Sequence, residues 1–309
     1  MPSVAVIDIG SNSIKVLVAA PAPGGGLTLL KTRTIDARIS AGISAATPRL
    51  SEPGMAAGLD AIRALLADAA PFAPTATVLV ATSAVRDAQN GGDFRELVHA
   101  TTGHVIRILS GDEEANLIGR GLTCDPALTG LRDFYVFDLG GGSLECLTFH
   151  DRAIQRAASL QLGCVRLTEK FVSQPAGPFT AEAQAAIAQH TRDLVTRSPF
   201  AFSLPAGATA IATGGTVTVA RAILAARLGR TFEASEPLVT LAQLKELLVW
   251  IGGLPLPKRQ QVAGLPPARA DVMPAALATL IALAELGGIS EYRHSLYNLR
   301  YGLAAEALG

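Results

Sequence analysis

The chain has 309 residues, 49% of them hydrophobic and 17% charged, and its 26 basic residues balance its 26 acidic ones. That length accommodates two α/β domains with sizeable cores, while zero net charge excludes a global field that would draw nucleic acid or an acidic membrane surface, so any polyanion must be met by a local patch. Cys124, Cys146 and Cys164 fit no zinc or C-x-x-C spacing, as expected of reduced thiols in a cytoplasmic protein; the start, MPSVAVIDIGS, lacks the pattern of a leader, and the most apolar run, Pro274 to Ala284, is too short to cross a bilayer.

The opening reads as a buried strand from Val4 to Ile9, a tight polar turn at Gly10-Ser11-Asn12-Ser13, and a second strand from Ile14 to Ala19. Another turn is expected at Gly24-Gly25-Gly26. Ser51, with Glu52-Pro53 behind it, starts a helix whose Met55, Leu59, Ile62, Leu65 and Leu66 share one face. Val78 to Ala81 is a short buried strand, and Val105 to Leu109 leads into Ser110-Gly111-Asp112-Glu113-Glu114, where acids crowd the first turn of a helix reaching about Gly121. The turn-rich stretch Cys124 to Gly130 is the expected domain junction, giving domains 1–124 and 125–309, with the last helix of the second packing back on the first.

Past that junction the opening pattern returns without a gap. Asp8-Ile9-Gly10-Ser11-Asn12-Ser13-Ile14 lies over Asp138-Leu139-Gly140-Gly141-Gly142-Ser143-Leu144, an offset of 130 residues. A strand, an Asp, a Gly-rich turn, a Ser and a strand occurring twice suggest two related α/β domains facing each other across a cleft. Farther on, Ala206 to Ala212 runs into a third glycine turn, Thr213-Gly214-Gly215-Thr216, between a strand and a helix. Thr240-x-x-Gln243 resembles a capping box ahead of a Leu244, Leu247, Leu248, Ile251 stripe closed by Gly252-Gly253. The Pro-rich stretch from Leu254 to Pro267 reads as a surface connection, and Met273 to Leu286 as a buried helix.

Three glycine turns supply unobstructed backbone N–H groups and nearby hydroxyls, which phosphate oxygens need. None is a P-loop or a dinucleotide fingerprint. Asp8, Asp138 and Glu145 sit within or beside apolar strands, where an unpaired carboxylate is costly. Either a hard cation such as Mg²⁺ or an arginine would relieve them, and acids flanking phosphate turns suit Mg²⁺. Glu113 and Glu114 compensate a helix dipole, and one of them is placed to activate or orient an attacking water. The five histidines show no ligand spacing.

The segments IDIGSNSIKVLVA, ATSAVRDAQN, ILSGDEEANLI, VFDLGGGSLEC, LGCVRLTEKF, ATGGTVTVA, ARADVMPAAL and NLRYGL together resemble the exopolyphosphatase/guanosine pentaphosphate phosphohydrolase (Ppx/GppA) family, in its order and over nearly the whole chain. The resemblance implies an α/β fold of two actin-like ATPase domains and cytoplasmic hydrolysis of a terminal phosphoanhydride bond in the interdomain cleft. Glu114 matches the family's catalytic base, and Asp138 and Glu145 its Mg²⁺-associated acids; Asp8 is grouped with them as a metal residue, with Mn²⁺ as a substitute ion. Asn12, Ser13, Gly140, Gly141, Gly142, Ser143, Gly214, Gly215 and Thr216 match its phosphate-contacting loops, and Arg86 matches an arginine near the phosphate path. Asn116 stands where many members have Arg. The chain ends at Gly309, shortly after NLRYGL, so the helical domains that follow in long members are not expected here.

The expected substrate is inorganic polyphosphate, with guanosine pentaphosphate as the alternative. Arg86, Arg166 and Lys170 are candidate basic residues for the cleft. A homodimer without nucleic-acid or membrane partners is the expected assembly. An ATP-dependent kinase of the same superfamily and a non-catalytic polyphosphate or nucleotide sensor are the rival readings. E-E-A after S-G-x argues against the first, and intact Glu114, Asp138 and Glu145 against the second.

Overall fold

Two mixed β-sheets organise the chain, which divides into one unit of residues 1–130 with 297–309 and a second of residues 131–296. The structure is a computed structural model describing residues 2–23 and 25–309; Met1 and Gly24, the first glycine of the expected turn, lie outside the described residues.

In the first unit, β1 (Val4–Ile9) is buried along its whole length, as its β-branched sequence requires, and forms an antiparallel hairpin with β2 (Ile14–Pro21). β3 (Leu27–Ile35) extends that meander. The chain continues through α1 (Glu52–Ala69), β4 (Ala76–Ala81), α2 (Ser83–Asp87), α3 (Gly91–Thr102), β5 (Ile106–Ile108) and α4 (Gly111–Thr123). β4 and β5 add in parallel on the other side of β1, giving the order β3-β2-β1-β4-β5. Ser51 caps α1, its hydroxyl accepting the Gly54 N–H at 3.1 Å. The buried face of α1 is centred on Gly58, Ala61, Ile62, Leu65 and Ala69, whereas Met55, Leu59 and Leu66 from the predicted stripe are only half-buried.

The second unit repeats the arrangement. β6 (Phe134–Leu139), β7 (Leu144–His150) and β8 (Ala153–Leu160) form the antiparallel meander. They are followed by α5 (Cys164–Phe171), α6 (Ala181–Arg197), β9 (Thr209–Thr213), α7 (Gly215–Arg227), β10 (Leu238–Thr240), α8 (Leu241–Gly252), α9 (Leu256–Arg259), α10 (Met273–Gly287) and β11 (Glu291–His294). Its sheet runs β8-β7-β6-β9-β11-β10, with β9 parallel to β6 and β11 parallel to β9. Helix α10 is buried from Met273 to Ala284, as a helix apolar on every side must be, and packs on α6 and α8. The predicted capping box of α8 is present, Thr240 and Gln243 satisfying each other's backbone N–H groups.

The Pro-rich stretch departs from a plain surface connection. Arg259 within it is only 1% exposed and donates to the carbonyls of Ile251, Leu254, Ala270 and Gly177. A buried guanidinium is tolerated because its donors are met.

The chain closes with α11 (Leu299–Leu308), which belongs to the first unit and crosses α4 at a glycine pair. A Cβ on Gly302 would stand 1.9 Å from the Leu117 carbonyl oxygen, and one on Gly121 2.0 Å from that of Asn298. Two missing side chains let these helix backbones touch.

Candidate active site

The turn between β1 and β2 is closed by Gly10, whose N–H donates to the Ser13 carbonyl at 3.2 Å. Ser11, Asn12 and Ser13 are all buried. Ser11 and Ser83 share a hydroxyl–hydroxyl bond at 3.0 Å, which ties the turn to the start of α2. The Nδ2 of Asn12 has no hydrogen-bond partner among the described residues. Asp8, two residues before the turn, stands in register opposite Lys15, so this carboxylate has a cation as its cross-strand neighbour.

Glu113 and Glu114 have separate tasks. Ser110 caps α4 by accepting the Glu113 N–H at 3.2 Å, while Glu113 reaches back to the Ser110 N–H at 2.9 Å and pairs with Arg107 at 3.0 Å. The Ser110 N–H first, then the Arg107 guanidinium and the Ser110 hydroxyl, hold the Glu113 carboxyl down to about 2. Glu114 is instead buried and accepts from Arg86 Nη1 at 2.8 Å, the same nitrogen also donating to the Leu109 carbonyl at 3.1 Å. Arg86 thus meets Glu114 within the first unit. Asn116 is exposed and spends its amide on the Asp112 carbonyl of its own helix.

In the second unit the hairpin of β6 and β7 places Asp138 directly opposite Glu145, and β9 places Thr213 beside Asp138. Residues in register share one face of a sheet, so two carboxylates and a hydroxyl gather there. Asp138 and Glu145 are 8% and 2% exposed. Ser159 donates to Glu145 at 2.8 Å, and the Thr213 hydroxyl has no partner among the described residues. Where the first unit sets a lysine against its aspartate, the second sets a glutamate.

The Gly140 to Ser143 turn has its carbonyls tied back: Cys164 N–H donates to Gly140 at 3.0 Å, Val165 N–H to Gly141 at 2.8 Å, and Arg166 Nε to Gly142 at 3.0 Å. Gly140 N–H closes the turn onto Ser143, whereas the N–H groups of Gly141 and Gly142 donate to no described residue. Arg166 therefore serves the loop's carbonyls from a buried position, and Lys170 lies exposed beside His190. At the third turn Gly214 caps α7 with φ 88, and a Cβ there would stand 2.2 Å from Asp138 Oδ1. Only glycine lets this turn close against the carboxylate. Arg269 lays its guanidinium against Gly215, and Thr216 donates to the Leu139 carbonyl at 3.3 Å.

Among the described residues no three His, Cys, Asp or Glu side chains form a metal cage. Two opposed carboxylates nevertheless fit Mg²⁺, which takes one or two protein carboxylates and completes its shell with water and phosphate oxygens. The cysteines are free thiols, and no described helix is long and apolar enough to cross a membrane.

Ser83, Ser159, Thr213, Arg38 and Arg269 were not singled out by sequence. Thr213 is the first residue of the third glycine turn, and Ser83 and Arg269 lie within the segments ATSAVRDAQN and ARADVMPAAL, so these three carry a signal while Ser159 and Arg38 carry none.

A model of the Ppx/GppA phosphatase family matches residues 17–309. The chain is 31% identical over 314 residues to a guanosine-5'-triphosphate,3'-diphosphate pyrophosphatase of Aliivibrio fischeri, covering 98% of this chain and 58% of that protein. It is 30% identical over 310 residues to the Aeromonas hydrophila protein of the same name, covering 100% and 60%. The chain thus spans about three-fifths of the length of these curated relatives. Among solved structures, an exopolyphosphatase from Cytophaga hutchinsonii superposes with a TM-score of 0.86 at 20% identity, over 99% of this chain and 97% of that one. The Aquifex aeolicus member of the Ppx/GppA family gives 0.78 at 23%, over 99% and 98%. At these identities the superpositions establish the shared fold alone, α/β with two mixed sheets.

Proposed function

The chain belongs to the Ppx/GppA phosphatase family, and from that premise we propose that it is an exopolyphosphatase, releasing orthophosphate from the end of inorganic polyphosphate. The observation that carries this reading is the pairing of buried Asp138 and Glu145 beside the open N–H groups of Gly141 and Gly142. Backbone donors without side chains suit phosphate oxygens of any chain, and acids in register suit the cation that accompanies them.

In this reading Asp138 and Glu145 hold Mg²⁺, for which Mn²⁺ substitutes, with Asp8 as the metal carboxylate of the first unit. When bound, the ion supplies charge neutralisation at the phosphate oxygens. Glu114, fixed by Arg86, takes a proton from the attacking water as its oxygen bonds to the terminal phosphorus. The bridging P–O bond breaks, and the shortened chain leaves with the bridging oxygen. Asn12, Ser13, Gly141 to Ser143 and Gly214 to Thr216 donate to the phosphates, Gly140 spends its N–H on the Ser143 carbonyl and so shapes the loop without donating, and the Arg86 guanidinium holds Glu114 while adding positive charge.

Guanosine pentaphosphate is the second reading, favoured by the names of the relatives at 30–31% identity. Both substrates present a terminal phosphoanhydride bond. Phosphate release measured side by side from long polyphosphate, short polyphosphate, guanosine pentaphosphate and ATP separates them. Preference for long or short polyphosphate supports the main reading, preference for the guanine nucleotide supports the second, and release from ATP alone overturns both.

A further inference from the structure

Asn12 is a buried amide with one end satisfied and the other open. Its Oδ1 accepts from Arg38 Nε at 3.1 Å, and its backbone carbonyl accepts the Arg38 N–H at 3.0 Å. Two residues on, the Ser40 N–H donates to the Ser11 carbonyl at 3.3 Å, so the 38–40 segment runs along the turn and is bonded to it at both ends. The Asn12 Nδ2, within a residue only 4% exposed, donates to nothing described.

A guanidinium has donors and no acceptor. Turning the Asn12 amide over would set its NH₂ against Arg38 Nε and lose that bond, so Arg38 decides which end of the amide faces away. A buried NH₂ without an acceptor is costly and is kept where something else supplies one. In a turn with the composition of a phosphate loop, that acceptor is a phosphate oxygen.

We propose that Arg38 is a positioning residue: it holds Asn12 by Oδ1 so that the Asn12 NH₂ is presented, already oriented, to an oxygen of the substrate's phosphate chain. This rests on the phosphohydrolase reading for the ligand, but not for the Arg38 contact itself. Arg38 acts through Asn12. Preorienting one donor to an anion should strengthen binding by about ten- to a hundredfold, the range for one hydrogen bond to a charged group.

The test is a double-mutant cycle on the whole chain with two readouts. The first is the ¹⁵N signal of the Asn12 side-chain NH₂, identified by its loss in Asn12→Ala. The second is equilibrium binding of inorganic tripolyphosphate with Mg²⁺. Arg38→Met should shift the Asn12 signal and speed its exchange with solvent, and should weaken tripolyphosphate binding about as much as Asn12→Ala does. The double variant should bind no worse than Asn12→Ala alone. An Asn12 signal unchanged by Arg38→Met overturns the proposal, as do additive losses, which would mean that Arg38 acts independently. If Arg38→Met does not fold, Asn12→Asp decides: it keeps an acceptor for Arg38 but has no donor, so binding must fall with the thermal melt preserved, and retained binding refutes the idea. Failure of the parent protein to release phosphate from any chain would sink the phosphohydrolase reading, while the NMR comparison would still decide the contact.

Discussion

Arg86 Nη1 donates to Glu114 Oε2 at 2.8 Å and to the Leu109 carbonyl at 3.1 Å, so a single nitrogen joins α2 to both the end of β5 and the first turn of α4. Removing the arginine takes from a buried carboxylate the cation that faces it. Because the Arg86 side chain is 21% exposed, the cost of Arg86→Met is expected at about 2 kcal/mol, below the range for a fully buried pair. Arg86→Met with Glu114→Gln should recover most of that loss, since the buried charge is then gone. Urea unfolding of the single and double variants measures this, and a double variant no more stable than Arg86→Met shows that the charge pair is not what Arg86 provides.

Adjacent glutamates should separate chemistry from stability. Glu114→Gln keeps shape but cannot accept a proton, so turnover should fall about 10²- to 10⁴-fold with phosphate-chain binding level or improved. Glu113→Gln should leave turnover near normal, because its carboxylate is committed to Ser110 and Arg107. Steady-state phosphate release for both variants is decisive, and an inactive Glu113→Gln with an active Glu114→Gln reverses the assignment.

Glu113 also predicts a pH dependence. Its carboxyl is held at about 2 in the folded chain against an ordinary 4.5, chiefly by the Ser110 N–H and then by Arg107. A folded value below the unfolded one gives stability that is present above about pH 4.5 and lost as pH falls towards 2. Melting temperature plotted against pH should therefore drop less steeply across that window in Glu113→Gln than in the parent. Parallel curves would mean that the capping carboxylate contributes nothing measurable, an outcome that solvent screening of this exposed group makes informative.

Much of the frame was legible because it is local. The Asp8 and Asp138 hairpins announce themselves by apolar strands around glycine turns, and α10 by its unbroken apolar run. The Ser110 to Glu113 capping box is equally local, yet the acids there read as dipole compensation with one of them turned to the attacking water, and the cap itself goes unread. The groups that complete the loops were not legible, because they arrive from elsewhere: Ser83 lies 72 residues from Ser11, and Arg38 lies 26 from Asn12. Strand pairing, set by the whole sheet, brings Thr213 beside Asp138. Likewise Arg259 could not be read as buried from a Pro-rich segment, since its four carbonyl acceptors come from several turns.

The crossing of α4 and α11 depends on hydrogen atoms where side chains would be. Gly302→Ala puts a methyl 1.9 Å from the Leu117 carbonyl, a backbone atom that cannot swing aside. Overpacking of this kind costs about 3 kcal/mol or more when backbone must move. Hydrogen exchange along α11 should rise sharply in Gly302→Ala and the melting temperature should fall. Unchanged protection in α11 would show that the helix pair tolerates greater separation than its close approach implies.

Asp138 and Glu145 face each other across one strand pair, where like charges destabilise unless something neutralises them. If that something is Mg²⁺, three observations must agree. Mg²⁺ should raise the melting temperature of the parent chain, because a ligand bound only by the folded state stabilises it. Asp138→Asn and Glu145→Gln should each reduce that rise, since each removes a charge that holds the ion. In the presence of chelator, however, both variants should melt at or above the parent, because the repulsion between the pair has been relieved. Glutamine at 145 can still accept the Ser159 hydroxyl bonded at 2.8 Å, so this substitution isolates charge from hydrogen bonding. Phosphate release by the parent should cease with chelator and return with Mg²⁺ or Mn²⁺. Thermal melts of the three proteins with and without Mg²⁺ give the answer: an equal Mg²⁺ response in all three removes the pair from metal binding, and variants that melt well below the chelated parent make the two acids structural.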